Sequence, residues 1–241
     1  MEKRFFVSSE NINNNTIVLD GEEHGHLSRV LRLPVGAKVE CFDGGDKILV
    51  CEITAITKQN TTLNILSSYD CESNPTQKVT LLQALPKGEK LELIIQKASE
   101  IGISEIKTFS SQFTIAKPND NKLSRFEKIA ISAAKQCGRS AVIKLSPNMT
   151  FKQMLSSLDE YDLVIFANET ENAAGLQKLI KKDLNIALIV GSEGGFSKDE
   201  IEAIVAKGAK SISLGKRILR AETAAIALSA VVMYELGELG L

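Results

Sequence analysis

Residues 188–201 have the sequence LIVGSEGGFSKDEI, in which an apolar strand runs into a glycine turn and then into a polar helix start. Turns of this kind often bind phosphate, because free backbone N–H groups and the positive end of the helix dipole attract anions. Glu193 lies inside this turn, and its negative charge would repel a phosphate. The stretch therefore predicts a ligand of another kind, the alternative being a plain helix-entry turn.

The pattern on both sides of this stretch predicts an α/β domain. Apolar strands such as VTLLQAL (79–85) and DLVIFA (162–167) alternate with helical segments, among them 89–102 and one around 176–181. Gly102 should end its helix in the left-handed conformation. Ser197 and Glu200 are spaced as a capping box that opens the helix after the glycine turn. This alternation predicts a mainly parallel sheet, and we expect ligands at the carboxyl ends of its strands.

A smaller β domain is predicted before it. Residues 4–70 contain short β-branched or apolar runs separated by Gly, Asp and Asn, with a single helix predicted over 22–33. Residues 71–78 are polar, contain a proline and lack periodicity. We therefore divide the chain into a β-barrel domain (1–70), a linker (71–78) and an α/β domain (79–241).

Composition narrows the class of protein. The 241 residues carry a net charge of −1, but residues 84–144 hold 11 basic and 6 acidic groups. That segment is either a local RNA-binding face or a pair of solvated helices. The four cysteines form no C-x-x-C pair, so no zinc site or disulfide framework is expected. The start of the chain lacks a signal peptide and the longest apolar run is too short to cross a bilayer, which predicts a cytoplasmic protein without membrane contact.

Three strand ends supply the candidate site: 166–170 (FANET), 191–195 (GSEGG) and 214–225 (LGKRILRAETAA). The chain has neither a G-x-G-x-x-G fingerprint nor a phosphate loop, so a nicotinamide dehydrogenase is a poor fit. A cofactor with an adenosine but no phosphate suits glycines that allow close backbone approach. S-adenosylmethionine is the best candidate, because its positive sulfonium is compatible with Glu193 and Glu222.

Five segments together resemble the bacterial 16S ribosomal RNA uridine-1498 N3-methyltransferase family: HLSRVLRLPVGAKVECFDG, KGEKLELIIQKASEIGI, QCGRS, LIVGSEGGFSKDEI and LGKRILRAETAAIAL. The resemblance implies a PUA-like RNA-binding β-barrel followed by a SPOUT methyltransferase domain with a C-terminal trefoil knot. It also implies S-adenosylmethionine as cofactor, 16S rRNA in the small ribosomal subunit as substrate, and a homodimer. Ser192 departs from the family pattern, in which we expect proline.

The family's cofactor contacts, carried onto matching positions, are Phe166, Ala167, Gly191, Ser192, Glu193, Gly194, Leu214, Gly215, Leu219, Arg220, Ala221, Glu222, Thr223 and Ala224. Methylation of uracil N3 requires loss of its proton, hence a base or a group that stabilises the uracil anion. Arg220 is the first choice for stabilisation. Glu222 is a weaker candidate for the base, since a glutamate that opens a helix also has a structural explanation.

RNA contacts are expected from basic and polar residues of both domains: Arg29, Arg32, Lys87, Lys97, Lys135, Gln136 and Arg139. Each could instead be a solvated surface group. His24 and His26 do not predict a metal site, because residues two apart on a helix do not share a face; RNA contact or helix packing is expected of them instead. Two further functions stay open: a SPOUT enzyme that acts on another RNA, and a non-catalytic ribosome-assembly factor. The final helix, AETAAIALSAVVMYEL, is apolar on nearly all sides, so it is buried within the domain or against a second subunit.

Overall fold

The computed structural model describes residues 3–117, 122–168 and 179–240. The chain forms two compact units, one of Met1–Asn74 with Ala134–Val142 and one of Pro75–Ala133 with Ile143–Leu241. We call them the N-terminal unit and the C-terminal unit. Half of the helix expected around 176–181, residues 176–178, falls outside the described residues.

The N-terminal unit contains a mixed β-sheet. Its described strands are β1 (Arg4–Phe6), β2 (Ile12–Asn13), β3 (Thr16–Leu19), β4 (Lys38–Phe42), β5 (Lys47–Ile56) and β6 (Thr61–Asp70). They lie in the order β1-β4-β5-β6-β3-β2, with β1 parallel to β4 and the other pairs antiparallel. Strands β3 to β6 match the predicted β runs, whereas β1 and β2 are too short to show a period in the sequence.

The helix predicted over 22–33 is divided in the structure. An α-helix, α1 (Gly21–Gly25), continues into a π-helical turn over His26–Val30. The His24 side chain is buried, and its Nδ1 lies 2.8 Å from Thr61 Oγ1 on β6. His24 therefore helps to fix this helix to the sheet, which agrees with a packing role.

Residues 134–142 belong to the N-terminal unit. Ala134 packs with Phe42 and Ile48 in a small buried cluster. The Arg4 guanidinium donates to the carbonyl of Gly138, and the Asn74 amide donates to Ser140 Oγ at 2.9 Å. The domain division predicted from the sequence leaves this segment in the α/β domain, because its residue pattern does not differ from that of the preceding predicted helix.

The C-terminal unit has a parallel sheet. Its described strands are β7 (Val79–Ala84), β8 (Glu105–Ser110), β9 (Lys144–Thr150), β10 (Leu163–Ala167), β11 (Ile186–Val190) and β12 (Lys210–Ile212). Their order is β12-β10-β11-β7-β8-β9, and these neighbours pair in parallel. Every residue of β7 and β11 is buried, as expected for central strands of a parallel sheet covered on both faces. The predicted α/β class is thus confirmed.

Five further α-helices are described after α1: α2 (Lys90–Ile101), α3 (Leu123–Cys137), α4 (Phe151–Ser157), α5 (Lys198–Ala206) and α6 (Ala221–Glu235). Helix α2 packs on α6. Ser197 and Glu200 form the predicted capping box at the start of α5. Within the described ranges, no helix is both long enough and apolar enough to span a bilayer.

Gly102 ends α2 in the predicted left-handed conformation, with φ of 106°. A Cβ at this position would lie 2.8 Å from Met233 Cε on α6 and 3.5 Å from Pro75 Cβ. The glycine therefore serves both the backbone turn and the packing of α2 against α6.

We predict that Gly102→Ala destabilises the protein by more than the roughly 1–2 kcal/mol that a left-handed alanine costs. The matched control is Gly208→Ala, where φ is 87° but no atom lies within 4 Å of the added carbon. Urea unfolding monitored by circular dichroism gives both values. Equal losses in the two variants would show that Met233 moves aside at no cost.

Candidate active site

A cavity of about 700 Å³ lies in the C-terminal unit at the carboxyl ends of β10, β11 and β12. The three segments that follow these strands meet there, as the sequence predicts for a parallel sheet. The cavity is lined by Lys90, Phe166, Ala167, Asn168, Val190, Gly191, Ser192, Glu193, Gly194, Gly195, Phe196, Ile201, Ser213, Leu214, Gly215, Arg217, Ile218, Leu219, Arg220, Ala221 and Ala224. A volume of this size suits a ligand as large as a nucleoside with a substituent.

Two hydrogen bonds to backbone carbonyls fix the glycine turn after β11. Gly195 N donates to Ser192 O at 2.9 Å, and Gln83 Nε2 on β7 donates to the carbonyl of Gly191 at 3.1 Å. A Cβ on Gly194 would lie 2.6 Å from Phe113 Cβ. Glycine is therefore required where the turn approaches the segment after β8.

Glu193 points from this turn to the start of α2. Its Oε1 accepts from Lys90 Nζ at 2.7 Å and from the backbone N–H of Lys87 at 3.1 Å. Partial burial acts to raise the pKa of Glu193, but the hydrogen bonds from Lys90 and from the backbone outweigh it, and this pKa lies below the ordinary value. The glutamate is ionised and serves to join the turn to α2.

Helix α6 begins at the same cavity. Arg220 is its N-cap residue; the arginine carbonyl accepts from Ala224 N at 2.8 Å. Glu222 lies in the first turn, with its Oε2 3.6 Å from Lys90 Nζ and its side chain 12% exposed. A carboxylate here is favoured by the helix dipole. One ammonium group, that of Lys90, thus lies between two carboxylates from different elements.

Of the predicted cofactor residues, Glu222 and Thr223 do not line the cavity, whereas the others do. Thr223 is exposed on α6. Lys90 is not among the site residues predicted from the sequence, although it lies in the segment KGEKLELIIQKASEIGI, because its partner Glu193 is far away in the chain. Arg217 and Ile218 were also missed, although they lie in the loop that leads to Arg220.

The residues expected to contact RNA occur in both units. Arg29, Arg32 and Gln136 are exposed in the N-terminal unit, and Lys87 is exposed in the C-terminal unit. Lys135 is ion-paired with Glu23 at 2.7 Å. Lys97 is ion-paired with Glu100 at 2.8 Å on the same helix.

Arg139 requires a correction. Its side chain is buried, with 4% of the residue exposed, and burial lowers the pKa of the guanidinium. A side chain in this position does not reach an RNA backbone. Its local sequence, QCGRS, gives no sign of this burial, which depends on the packing of residues 134–142 in the N-terminal unit.

No metal site emerges from the part of the chain that the structure describes: no group of three or more His, Cys, Asp or Glu side chains there could hold an ion. Among the side chains that line the cavity, the charged ones belong to Glu193, Lys90, Arg217 and Arg220, and the neutral polar ones to Asn168, Ser192 and Ser213.

Two family models match this chain. A model of the RNA methyltransferase domain matches residues 72–233, and a model of the RNA methyltransferase PUA domain matches residues 19–66. The parallel sheet, the cavity at its strand ends and the separate small β unit thus define an RNA methyltransferase.

Similar proteins show which family of RNA methyltransferases this chain belongs to. A protein of Rickettsia conorii named Ribosomal RNA small subunit methyltransferase E is 33% identical over 236 residues, which are 95% of this chain and 94% of the relative. A protein of the same name from Synechocystis is 32% identical over 228 residues, covering 93% of this chain and 75% of the relative. This chain belongs to the ribosomal RNA small subunit methyltransferase E family.

Solved structures agree with this family. A methyltransferase of Legionella pneumophila, in complex with the bound cofactor SAM, has a TM-score of 0.87 at 27% identity, with 97% of this chain and 98% of that chain covered. Ribosomal RNA small subunit methyltransferase E of Neisseria gonorrhoeae, bound to S-adenosyl methionine, has a TM-score of 0.86 at 26% identity, with the same coverage of both chains.

We predict that Lys90→Gln lowers the free energy of unfolding, with a pH-dependent difference from the unmodified protein. The lowered pKa of Glu193 gives stability that is lost as the pH falls through that pKa, below the usual 4.5. The pKa of Lys90, raised chiefly by its hydrogen bond to Glu193, gives stability that is lost as the pH rises above 10.5.

The difference should therefore be largest between these limits and shrink at both ends, as measured by urea unfolding across pH. Lys198→Gln is the control, since Lys198 lies 4.0 Å from Glu202 on an exposed surface. A difference that does not change with pH would mean that Lys90 contributes only through packing.

Proposed function

We propose that this protein transfers a methyl group from S-adenosylmethionine to N3 of a single uridine, equivalent to position 1498, in the 16S rRNA of the small ribosomal subunit. The observation that carries this proposal is the cavity built by the glycine turn and the start of α6, in a chain whose relatives bear the name of a small-subunit rRNA methyltransferase. Two similar structures contain S-adenosylmethionine.

The residues of the cavity fit S-adenosylmethionine. Glycines 191 and 194 keep the turn open, because a Cβ on either would meet Phe196 or Phe113 at 3.0 Å or less. Ser192 Oγ lies in the lining, buried and without a hydrogen-bond partner among the described residues, so it can accept a ligand donor. The cofactor would supply a methyl group on a positive sulfonium, which the carboxylates of Glu193 and Glu222 tolerate better than a phosphate.

The predicted cofactor set is retained in this proposal, with Lys90 as a positioning residue for Glu193. Glu222 and Thr223 lie outside the cavity lining, so their part in binding is indirect. Replacement of the family proline by Ser192 makes the turn less rigid but adds a hydroxyl that is buried in the lining.

The reaction removes a proton from uracil N3 and forms an N3–CH₃ bond, for which the S–CH₃ bond of the sulfonium would break and leave a neutral thioether. Arg220 is exposed at the cavity, where its guanidinium can stabilise the negative charge that develops on O2 or O4 of the base. Glu222 is a candidate for the base. Its Oε2 lies 3.6 Å from Lys90 Nζ.

The remaining features of the proposal follow the family. We place a PUA-like RNA-binding barrel at 1–70, a linker at 71–78 and a SPOUT domain with a C-terminal trefoil knot at 79–241, in a cytoplasmic homodimer. Arg29, Arg32, Lys87, Lys97, Lys135 and Gln136 remain the proposed RNA contacts. The homodimer is supported by two apolar side chains of α6 that are exposed in the single chain, Val231 (41%) and Tyr234 (63%). A monomeric mass measured by light scattering would exclude this subunit contact.

A direct test incubates the protein with radiolabelled S-adenosylmethionine and small ribosomal subunits from cells that lack the modification. Digestion of the RNA should give N3-methyluridine from one site. A different labelled nucleoside would indicate a SPOUT enzyme with another target, and cofactor binding without transfer would indicate another RNA substrate. Absence of both binding and transfer would favour a non-catalytic assembly factor.

We predict that Arg220→Ala keeps the fold and lowers the rate of methyl transfer by about 100-fold, because a preorganised cation at the developing charge is lost. Single-turnover transfer to the same subunits measures this rate. Lys152→Ala, which removes an exposed cation on α4 that lines neither cavity, is the control and should leave the rate unchanged. Near-normal turnover of Arg220→Ala would exclude this residue from the mechanism.

A further inference from the structure

A second cavity, of about 290 Å³, lies in the C-terminal unit beside the glycine turn. It is formed where the chain leaves β7 and β8 and where α3 begins. Its lining consists of Leu85, Pro86, Lys87, Gly88, Leu91, Ile115, Ala116, Lys117, Lys122 and Phe126. The cofactor cavity does not share these residues, and only Lys87 among them belongs to the RNA contacts expected from the sequence.

The lining combines cations with apolar surface. Lys87, Lys117 and Lys122 are three of its members, and no carboxylate is among the described residues that line it. Leu85 and Leu91 form a buried floor, while Ile115 is 71% exposed. The nearby carboxylates of Glu89 and Glu92 lie 3.7 Å and 2.7 Å from Arg125, which offsets their charge.

The two cavities are connected through the glycine turn. The backbone N–H of Lys87 donates to Glu193, and Phe113, two residues before Ile115, touches the place where Gly194 has no side chain. The segments that line the second cavity after β7 and β8 therefore also contact the turn that lines the cofactor cavity. This places the two cavities next to each other in the C-terminal unit.

A strand of RNA has the matching chemistry. It presents flat apolar bases, which stack on aromatic and aliphatic side chains, and anionic phosphates, which lysines neutralise. An enzyme that modifies N3 must take its target base out of the stack, and this also uncovers a face of the neighbouring base. The neighbour then needs an apolar surface beside the reaction site.

We propose that the second cavity is a nucleotide subsite. It accepts the base of a nucleotide next to the methylated uridine against Phe126 and Ile115, while the adjoining phosphates lie against Lys87, Lys117 and Lys122. This subsite rests on the proposed function, because it assumes an RNA target at the first cavity.

The test compares two triple variants of the full chain. Lys87→Gln/Lys117→Gln/Lys122→Gln removes the cations of the cavity, and the control Lys144→Gln/Lys152→Gln/Lys198→Gln removes three exposed lysines elsewhere in the C-terminal unit. Methyl transfer from S-adenosylmethionine to small subunits that lack the modification gives KM and kcat over a range of salt concentrations. Calorimetry gives the affinity for S-adenosylmethionine.

The cavity variant should raise KM for the subunits by 10-fold or more, with kcat and cofactor affinity within about twofold of the unmodified protein. Its salt dependence should weaken by about 2 in the slope of log KM against log salt, as expected for three lost contacts to single-stranded RNA. Phe126→Leu keeps the apolar volume but removes the aromatic ring, and should raise KM without changing the salt slope. KM and slope equal to those of the control triple would overturn the subsite.

A cross-link locates the neighbour directly. Ile115→p-benzoylphenylalanine, at an exposed position, should cross-link to rRNA within two nucleotides of the methylated uridine. Cross-links only to distant RNA or to a ribosomal protein would refute the assignment. If the unmodified protein transfers no methyl group, the proposed function fails by itself, and filter binding of the subunits to the two triple variants still decides whether this cavity holds RNA.

Discussion

The ion pair between Glu193 and Lys90 connects elements that are remote in sequence at the first cavity. Glu193 belongs to the glycine turn after β11, and Lys90 opens α2, so a single 2.7 Å contact joins the two. Lys90 also lies 3.6 Å from Glu222 at the start of α6. One ammonium group thus lies close to carboxylates of two other elements, and the backbone N–H of Lys87 adds a second hydrogen bond to Glu193 that does not involve that ammonium.

The two cavities of the C-terminal unit differ in how their charged side chains are arranged. The first is lined by Glu193 as well as by Lys90, Arg217 and Arg220, and Glu222 lies 3.6 Å from Lys90. The second is lined by lysines, with no carboxylate among the described residues. The carboxylates at the first cavity are compatible with a positive methyl donor, and the lysines of the second favour a negative polynucleotide.

The sequence predicts much of this architecture, and the failures have physical causes. Strands β7 and β11, helix α2 with its glycine end and the capping box of α5 follow from local rules, because period and capping are properties of neighbouring residues. The three segments of the first cavity follow from the rule that parallel strands end together. The Lys90–Glu193 pair, the burial of Arg139 and the second cavity depend on contacts between distant parts of the chain, which one sequence does not reveal.

The short strands β1 and β2 and the placement of residues 134–142 were beyond prediction for a related reason. A strand of two or three residues has no measurable period, and its existence depends on the partner strand. The last turn of α3 continues an amphipathic helix, so its sequence does not indicate that Ala134 packs against Phe42 and Ile48.

The membership of residues 134–142 in the N-terminal unit affects how the chain acquires its structure during synthesis. Strands β1 to β6 leave the ribosome first, but Phe42 and Ile48 remain without Ala134, and Asn74 without Ser140, until β7, α2, β8 and α3 have also been translated. The N-terminal unit therefore cannot be completed when its own strands have been synthesised. Its completion has to wait for the first elements of the C-terminal unit to leave the ribosome.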